Sequence, residues 1–259
     1  MARSPSPAGP AAVAGALVVL FLAAPVVALL AEAAGWRGLG AALADPAVRG
    51  AFFLTFLCAT AATAVGALAG VPLGYLLARR DFHGKRWVEG LLELPVVIPH
   101  PVAGIAILLA FGRAAPLGRL LGGGVVGAPL GIVACMLFVS LPFLVSGARE
   151  GFALVDPRLE AIARTLGAGP AGAAFGVALP LAARPILSGA VLMWARAVSE
   201  FGSIAIVTYH PKVASILVYD RFTTSGLPGA VPPAALLVAV ALAAFVALRG
   251  LARPVATRS

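Results

Sequence analysis

Charged side chains are scarce in this chain. Lys, Arg, Asp and Glu make up 11% of its 259 residues, against about a quarter in ordinary soluble domains. With 61% hydrophobic residues and a mean hydropathy of +1.03, that deficit excludes a soluble globular fold. The longest stretch between apolar runs, from Arg149 to Arg184, is too short to bury a core of its own, so no separate soluble domain is expected. Cysteine is equally sparse. Cys58 and Cys135 lie in apolar runs without CxxC spacing or a histidine pair nearby, which argues against a disulfide framework or zinc site and for buried thiols acting as small hydrophobes. The three histidines fall in separate regions, and no HExxH, Ser/His/Asp set or pair of catalytic carboxylates accompanies them. A phosphate-cradling GxxxxGK loop is missing as well, because Gly84-Lys85 lacks the upstream glycine and is followed by Arg86. The chain is therefore expected to be no enzyme in itself, and to bind no ATP, metal or other cofactor.

Long hydrophobic runs are what the sequence has instead. A membrane-crossing helix needs about 20 mostly apolar residues, and six segments meet that length: Ala11 to Ala31, Gly50 to Ala78, Leu94 to Gly112, Leu130 to Ala148, Pro185 to Tyr209 and Leu227 to Leu248. They predict an all-α, polytopic membrane protein forming a single transmembrane domain over residues 1–259. The first segment also fits a signal peptide cleaved near Ala31-Glu32-Ala33, although its apolar run exceeds the usual length of about 7 to 15 residues. Ser4 to Pro10 reads as a disordered tail. No internal repeat of solenoid length is visible.

Six crossings place both termini on one side. The alternating connections carry twelve Lys and Arg on that side and six on the other, with Arg196 inside a span. By the positive-inside rule both termini are predicted to be cytoplasmic. The net charge of +9 is thus mostly topology and does not signal a nucleic-acid partner. The outer side keeps a mildly basic balance, suited to attracting an anion.

The most informative stretch lies in the predicted cytoplasmic connection from Asp156 to Pro180. Asp156-Pro157 is a helix start, with Asp positioned to accept orphaned amide protons and Pro preset for the first turn. That helix should run to about Leu166 and stop at Gly167, and Gly169-Pro170 should open a second short helix ending at Leu179-Pro180. Such a knob suits docking into another protein. A helix pair lying on lipid headgroups is the alternative, though Arg158 and Arg164 give it only a weak basic face.

Ala161, Ala163, Gly167 and, at the right spacing, Val177, Leu179 and Pro180 resemble the cytoplasmic "EAA" signature of binding-protein-dependent ABC importer permeases. Glu160 stands one residue ahead of the family's Glu position, which Ala161 occupies, and Ile162 replaces the first Ala. The run Trp194-Ala195-Arg196-Ala197-Val198-Ser199-Glu200-Phe201-Gly202 is similar to the oxyanion branch, tungstate and molybdate permeases in particular. The likeness covers roughly residues 50–248. It implies a type I ABC importer permease in the cell (inner) membrane, working by alternating access as a homodimer. The implied partners are two ATP-binding subunits that hold ATP and Mg, and an extracytoplasmic oxyanion-binding protein. Glu160, Ala161, Ala163, Gly167, Leu179 and Pro180 would then form the ATPase-coupling element. Altering Gly167 is expected to uncouple transport more severely than Glu160→Ala. A sulfate or thiosulfate cargo is the nearest alternative; an ion-coupled secondary transporter should show duplicated halves, which are not apparent.

Arg196 and Glu200, four residues apart, face the same side of a helix. Charges at bilayer depth face protein or a water-filled cavity. Arg196, Ser199, Glu200, Gly202 and His100 are accordingly candidates for a translocation pathway or gate, and the Arg196–Glu200 pair equally fits a fastening between helices. Pro99-His100-Pro101 predicts a flexible kink within a single third span, His100 as an ion-handling group being the other reading. Lys212 to Phe222 suits a short interfacial helix that either closes the outer mouth or anchors in lipid.

Overall fold

The computed structural model of the protein describes residues 8–35, 38–120, 122 and 124–251. The predicted tail lies largely outside this range, as do Arg3, Arg37, Arg253 and Arg258 of the charge tally. The elements in chain order are α1 (Ala8–Gly35), α2 (Gly38–Ala44), α3 (Pro46–Arg79), α4 (Lys85–Val97), α5 (His100–Phe111) and α6 (Pro116–Leu120). There follow α7 (Pro129–Leu154), α8 (Pro157–Thr165), α9 (Pro170–Ala173), α10 (Leu179–Val198), α11 (Gly202–Val207) and α12 (Ala214–Leu251). Among the described residues five helical stretches are long and apolar enough to cross a membrane, and the bent pair α4–α5 makes a sixth if it counts as one crossing.

Three helices make the frame. α7 packs lengthwise between α3 and α10, and small residues set the spacing. A Cβ added at Gly74 would sit 2.6 Å from the Ala148 Cβ, and one at Gly147 would lie 2.9 Å from the Gly189 Cα. Apolar packing in lipid lacks a hydrophobic drive, so such close backbone approach is what holds neighbouring helices together. Cys58 and Cys135 are both unpaired and buried in the resulting core with Ile132, Met136 and Ile204. α1 stays peripheral, touching α12 where Ala33 meets Val231 and Ala235.

The third predicted span is not a single straight helix. α4 and α5 meet at a bend of 120°. Ile98 precedes a proline and is extended (φ −76°, ψ 142°), as steric conflict with the following ring requires. The fifth span also differs from its expected limits. The short helix starting at Pro170 does not end at Leu179-Pro180 but continues through a π turn, Ala174–Ala178, into α10. Pro180 has no N–H to donate, and the widened turn, closed by Leu179 N to Ala174 O, carries the backbone past it. α10 then stops at Val198, ahead of α11. α12 begins at Ala214 and breaks at Gly226 (φ 68°), a left-handed position only glycine adopts freely, so its first part is the short helix expected after Lys212.

Candidate functional site

The break between α10 and α11 holds the most heavily hydrogen-bonded side chain of the core. Glu200 is 1% exposed. Its Oε1 accepts from the Ser203 backbone N–H and hydroxyl, both at 2.9 Å. Its Oε2 accepts from Arg196 Nη2 at 2.9 Å and lies 2.7 Å from His100 Nδ1. Arg196 Nη2 also approaches the His100 ring, 2.8 Å from Nε2, and Nη1 donates to Ser199 Oγ at 3.2 Å. Arg196 Nη2 lies 2.7 Å from His100 Nδ1 as well, so the guanidinium sits across the edge of the imidazole and both groups converge on Glu200 Oε2. Buried charge is tolerable only when paired and hydrogen-bonded, and Glu200 meets both conditions.

Local sequence explains why these groups meet. Gly202 opens α11 directly beneath His100, where an added Cβ would come within 2.7 Å of the His100 Cβ. Gly104 on α5 likewise leaves room for the Ser203 carbonyl, 2.8 Å from where its Cβ would stand. Ser215 on α12 donates to the Glu200 carbonyl at 2.8 Å, tying a third helix to the break. The five sequence-predicted residues, His100, Arg196, Ser199, Glu200 and Gly202, thus gather at one place. Ser203 and Ser215 were not singled out from the sequence; a hydroxyl three residues after an intramembrane carboxylate was the available signal for Ser203.

The cluster is asymmetric in access. Glu200 is sealed in, whereas the Arg196 side chain is 23% exposed and that of His100 37%. Its open side is therefore the guanidinium and imidazole. Ser188 and Leu192, two turns and one turn before Arg196 on the same face of α10, line a cavity of about 570 Å³ shared with Val96 and Val97 of α4 and Ser146 of α7. Glu93 and Glu150 lie on the same cavity wall.

The second predicted set lies where α3 ends. Asp156 caps α8 by accepting from the Arg158 N–H at 2.9 Å, with Pro157 in the first turn. Gly167 is left-handed (φ 96°). Its N–H reaches the Arg164 carbonyl, and the Ala168 N–H reaches that of Ala163, the paired bonds of a Schellman cap. α8 and its cap turn apolar side chains outward beside Arg158 and Arg164: Leu159, Ile162 and Leu166 are exposed at 42, 55 and 84%, while Glu160 is buried. The carboxylate points inward, to Tyr75 Oη at 2.5 Å and Arg79 Nε at 2.7 Å. The offset of Glu160 thus corresponds to an internal anchor. Of the other predicted residues, Ala161 is exposed and Ala163 half-buried on α8, whereas Leu179 packs on the Phe152–Ala182 core and Pro180 belongs to α10. Nothing in the sequence pairs Tyr75 or Arg79 with Glu160, since both lie more than eighty positions away.

At the other ends of these helices two basic groups from the expected anion-attracting surface are already paired: Lys212 with Asp220 at 2.6 Å, and Arg221 with Asp45. Arg221, and the Ala47 N–H after it, hold the Asp45 carboxyl below its usual range.

A multi-helix bundle with this bent pair and interrupted crossing has the fold of importer permeases. It matches a chain of a solved bacterial alginate ABC transporter with a TM-score of 0.72 and 15% identity, over 94% of this chain and 93% of that one. The chain belongs to the family described as binding-protein-dependent transport system inner membrane component, whose model matches residues 70–257. It is 44% identical over 238 residues, 92% of each chain, to the molybdate/tungstate transport system permease protein WtpB of Pyrococcus furiosus. To the probable sulfate transport system permease protein cysT of Zygnema circumcarinatum it is 29% identical, over 88% of this chain and 81% of that one.

Proposed function

We propose that this permease subunit carries molybdate or tungstate into the cytoplasm as a homodimer, driven by two separate ATP-binding subunits and supplied by an extracytoplasmic binding protein. The α8 end and both termini face the cytoplasm in this reading, as the charge distribution predicts, and ATP and Mg reside on the ATPase partners. The observation that carries it is the outward apolar face of α8. A helix at a water-facing end that turns Leu159, Ile162 and Leu166 outward and its carboxylate inward is built to be covered. A groove on the ATPase covers it. A headgroup-bound helix pair would need cationic side chains on its outer rim, and Arg158 and Arg164 are the sole basic residues of α8.

The cargo follows from relatedness and from the cluster. A chain so similar to a molybdate/tungstate permease, and less so to a sulfate one, is read as sharing the former's cargo. The partly exposed Arg196 guanidinium offers donors to a tetrahedral oxyanion while His100 and Glu200 hold it in place and Glu200 limits the net positive charge, so the ion is passed along without being trapped. Leu192, Val96 and Val97 share their cavity with the carboxylates Glu93 and Glu150, whose charge favours release of an anion that has passed. Uptake by the complete complex in liposomes tests the proposal: tungstate and molybdate should accumulate with ATP and binding protein present. Accumulation of sulfate with no response to tungstate would transfer the chain to the sulfate reading, and uptake without any ATPase subunit would overturn the importer mechanism.

A further inference from the structure

The guanidinium of Arg79 joins three parts of the molecule that the sequence separates widely. Arg79 is the last residue of α3. Its Nε donates to Glu160 Oε1 at 2.7 Å, in the first turn of α8, and its Nη2 donates to the carbonyl of Val155 at 3.0 Å, the residue that ends α7. Tyr75, one turn earlier on α3, donates to the other carboxylate oxygen of Glu160. The side chains of Arg79 and Glu160 are only 10% and 12% exposed. One planar cation thus grips the Val155-Asp156 connector, at the C-cap of α7, together with the first turn of α8 beyond it. Phe152 packs edge-on against the Tyr75 ring at 5.1 Å, closing the apolar side of the same joint.

We infer that Arg79 is a positioning residue for energy coupling: it locks α8 to α3 and α7 so that a push delivered to the exposed face of α8 moves the membrane helices as one body. The inference rests on the reading of α8 as the ATPase-docking element. A fork of several donors in fixed geometry is what lets one side chain hold a carboxylate and a carbonyl at once, and lysine, a compact point charge, lacks it. Without the fork, α8 would still meet its partner, but part of the stroke would be lost in rotation at Val155-Asp156. Arg79 touches neither cargo nor nucleotide. Its effect belongs in the ratio of transport to hydrolysis.

The test uses the full complex in liposomes with binding protein, tungstate and ATP. R79Q and R79K should both co-purify with the ATPase subunit at wild-type stoichiometry and hydrolyse ATP, while tungstate imported per ATP falls by about tenfold, within the range of ordinary coupling energies. R79K keeps the charge, so it decides the matter even if R79Q proves too unstable to purify. Wild-type uptake per ATP in R79K would show that charge alone suffices and would overturn the clamp. Spin labels at the exposed positions Arg80 and Thr165, introduced as R80C and T165C, give a second measurement. With Arg79 intact their separation should stay constant between nucleotide-free and ATP-bound states, and with R79K it should broaden; a shift on ATP binding with Arg79 intact would likewise overturn the inference. L166D isolates the underlying reading: undiminished ATPase co-purification in that variant would remove α8 as the docking element, whatever the Arg79 variants do.

Discussion

At the scale of single residues, Arg196 and Glu200 divide their labour by burial. Glu200 is sealed and fully hydrogen-bonded, so Glu200→Ala strands Arg196 against the core. A cost of about 3–5 kcal/mol is expected for breaking a buried pair from one side, partly offset because Arg196 retains access to water, and it should appear as a lower unfolding temperature of the purified complex. Arg196→Gln should behave otherwise: Glu200 keeps Ser203 and His100, assembly stays normal, and tungstate uptake falls. Equal losses of stability in the two variants would assign Arg196 to fastening alone. Asp45 lends itself to a pH test. Its carboxyl is lowered in the folded protein chiefly by Arg221, so its contribution is present above the ordinary carboxylate range and is lost as pH falls through the lowered folded value. Arg221→Gln should accordingly reduce thermal stability at neutral pH, and its difference from wild type should vanish in strong acid.

At the scale of elements, α8 was the most legible part of the chain. Its start at Asp156-Pro157 and its stop at Gly167 rest on cap chemistry confined to a few neighbouring residues, and both appear in the structure. The partner of Glu160 was not legible, because Tyr75 and Arg79 precede it by more than eighty positions and only packing brings them together. That contact changes the expected order of severity. Gly167→Ala strains one left-handed residue by about 1–2 kcal/mol at the far end of the helix, whereas Glu160→Ala opens the joint at its base. Glu160→Ala is now expected to lower tungstate import per ATP at least as much as Gly167→Ala; the opposite ranking in the liposome assay would mean that the Gly167 turn, rather than the anchored end, carries the load. The crossing that ends at Val198 was harder still. Arg196 and Glu200 interrupt the fifth apolar run, but apolar residues resume from Phe201 to Val207, so run length alone carries the span past the point where the backbone turns away to bind the carboxylate.

For the whole molecule, the six long apolar runs and the uneven basic charge between them were enough to give the all-α, multi-crossing class. The 120° fold-back of α4 on α5 was not, because prolines at 99 and 101 announce a break without its angle; that angle is set by the packing of α5 on α11, where Gly104 and Gly202 permit contact. The outward apolar face of α8 has a last consequence, for cell biology. On the proposed docking of α8, a copy made without its ATPase would display Leu159, Ile162 and Leu166 to the aqueous phase, the kind of greasy flag that quality-control proteases read, so surplus permease should be culled and subunit ratios corrected after synthesis. In a pulse–chase experiment the lone subunit should decay faster than the co-expressed one, and polar replacements at those three positions should lengthen its lifetime. An equal half-life in both settings would show that orphan copies pass unnoticed and that their numbers must be matched during synthesis.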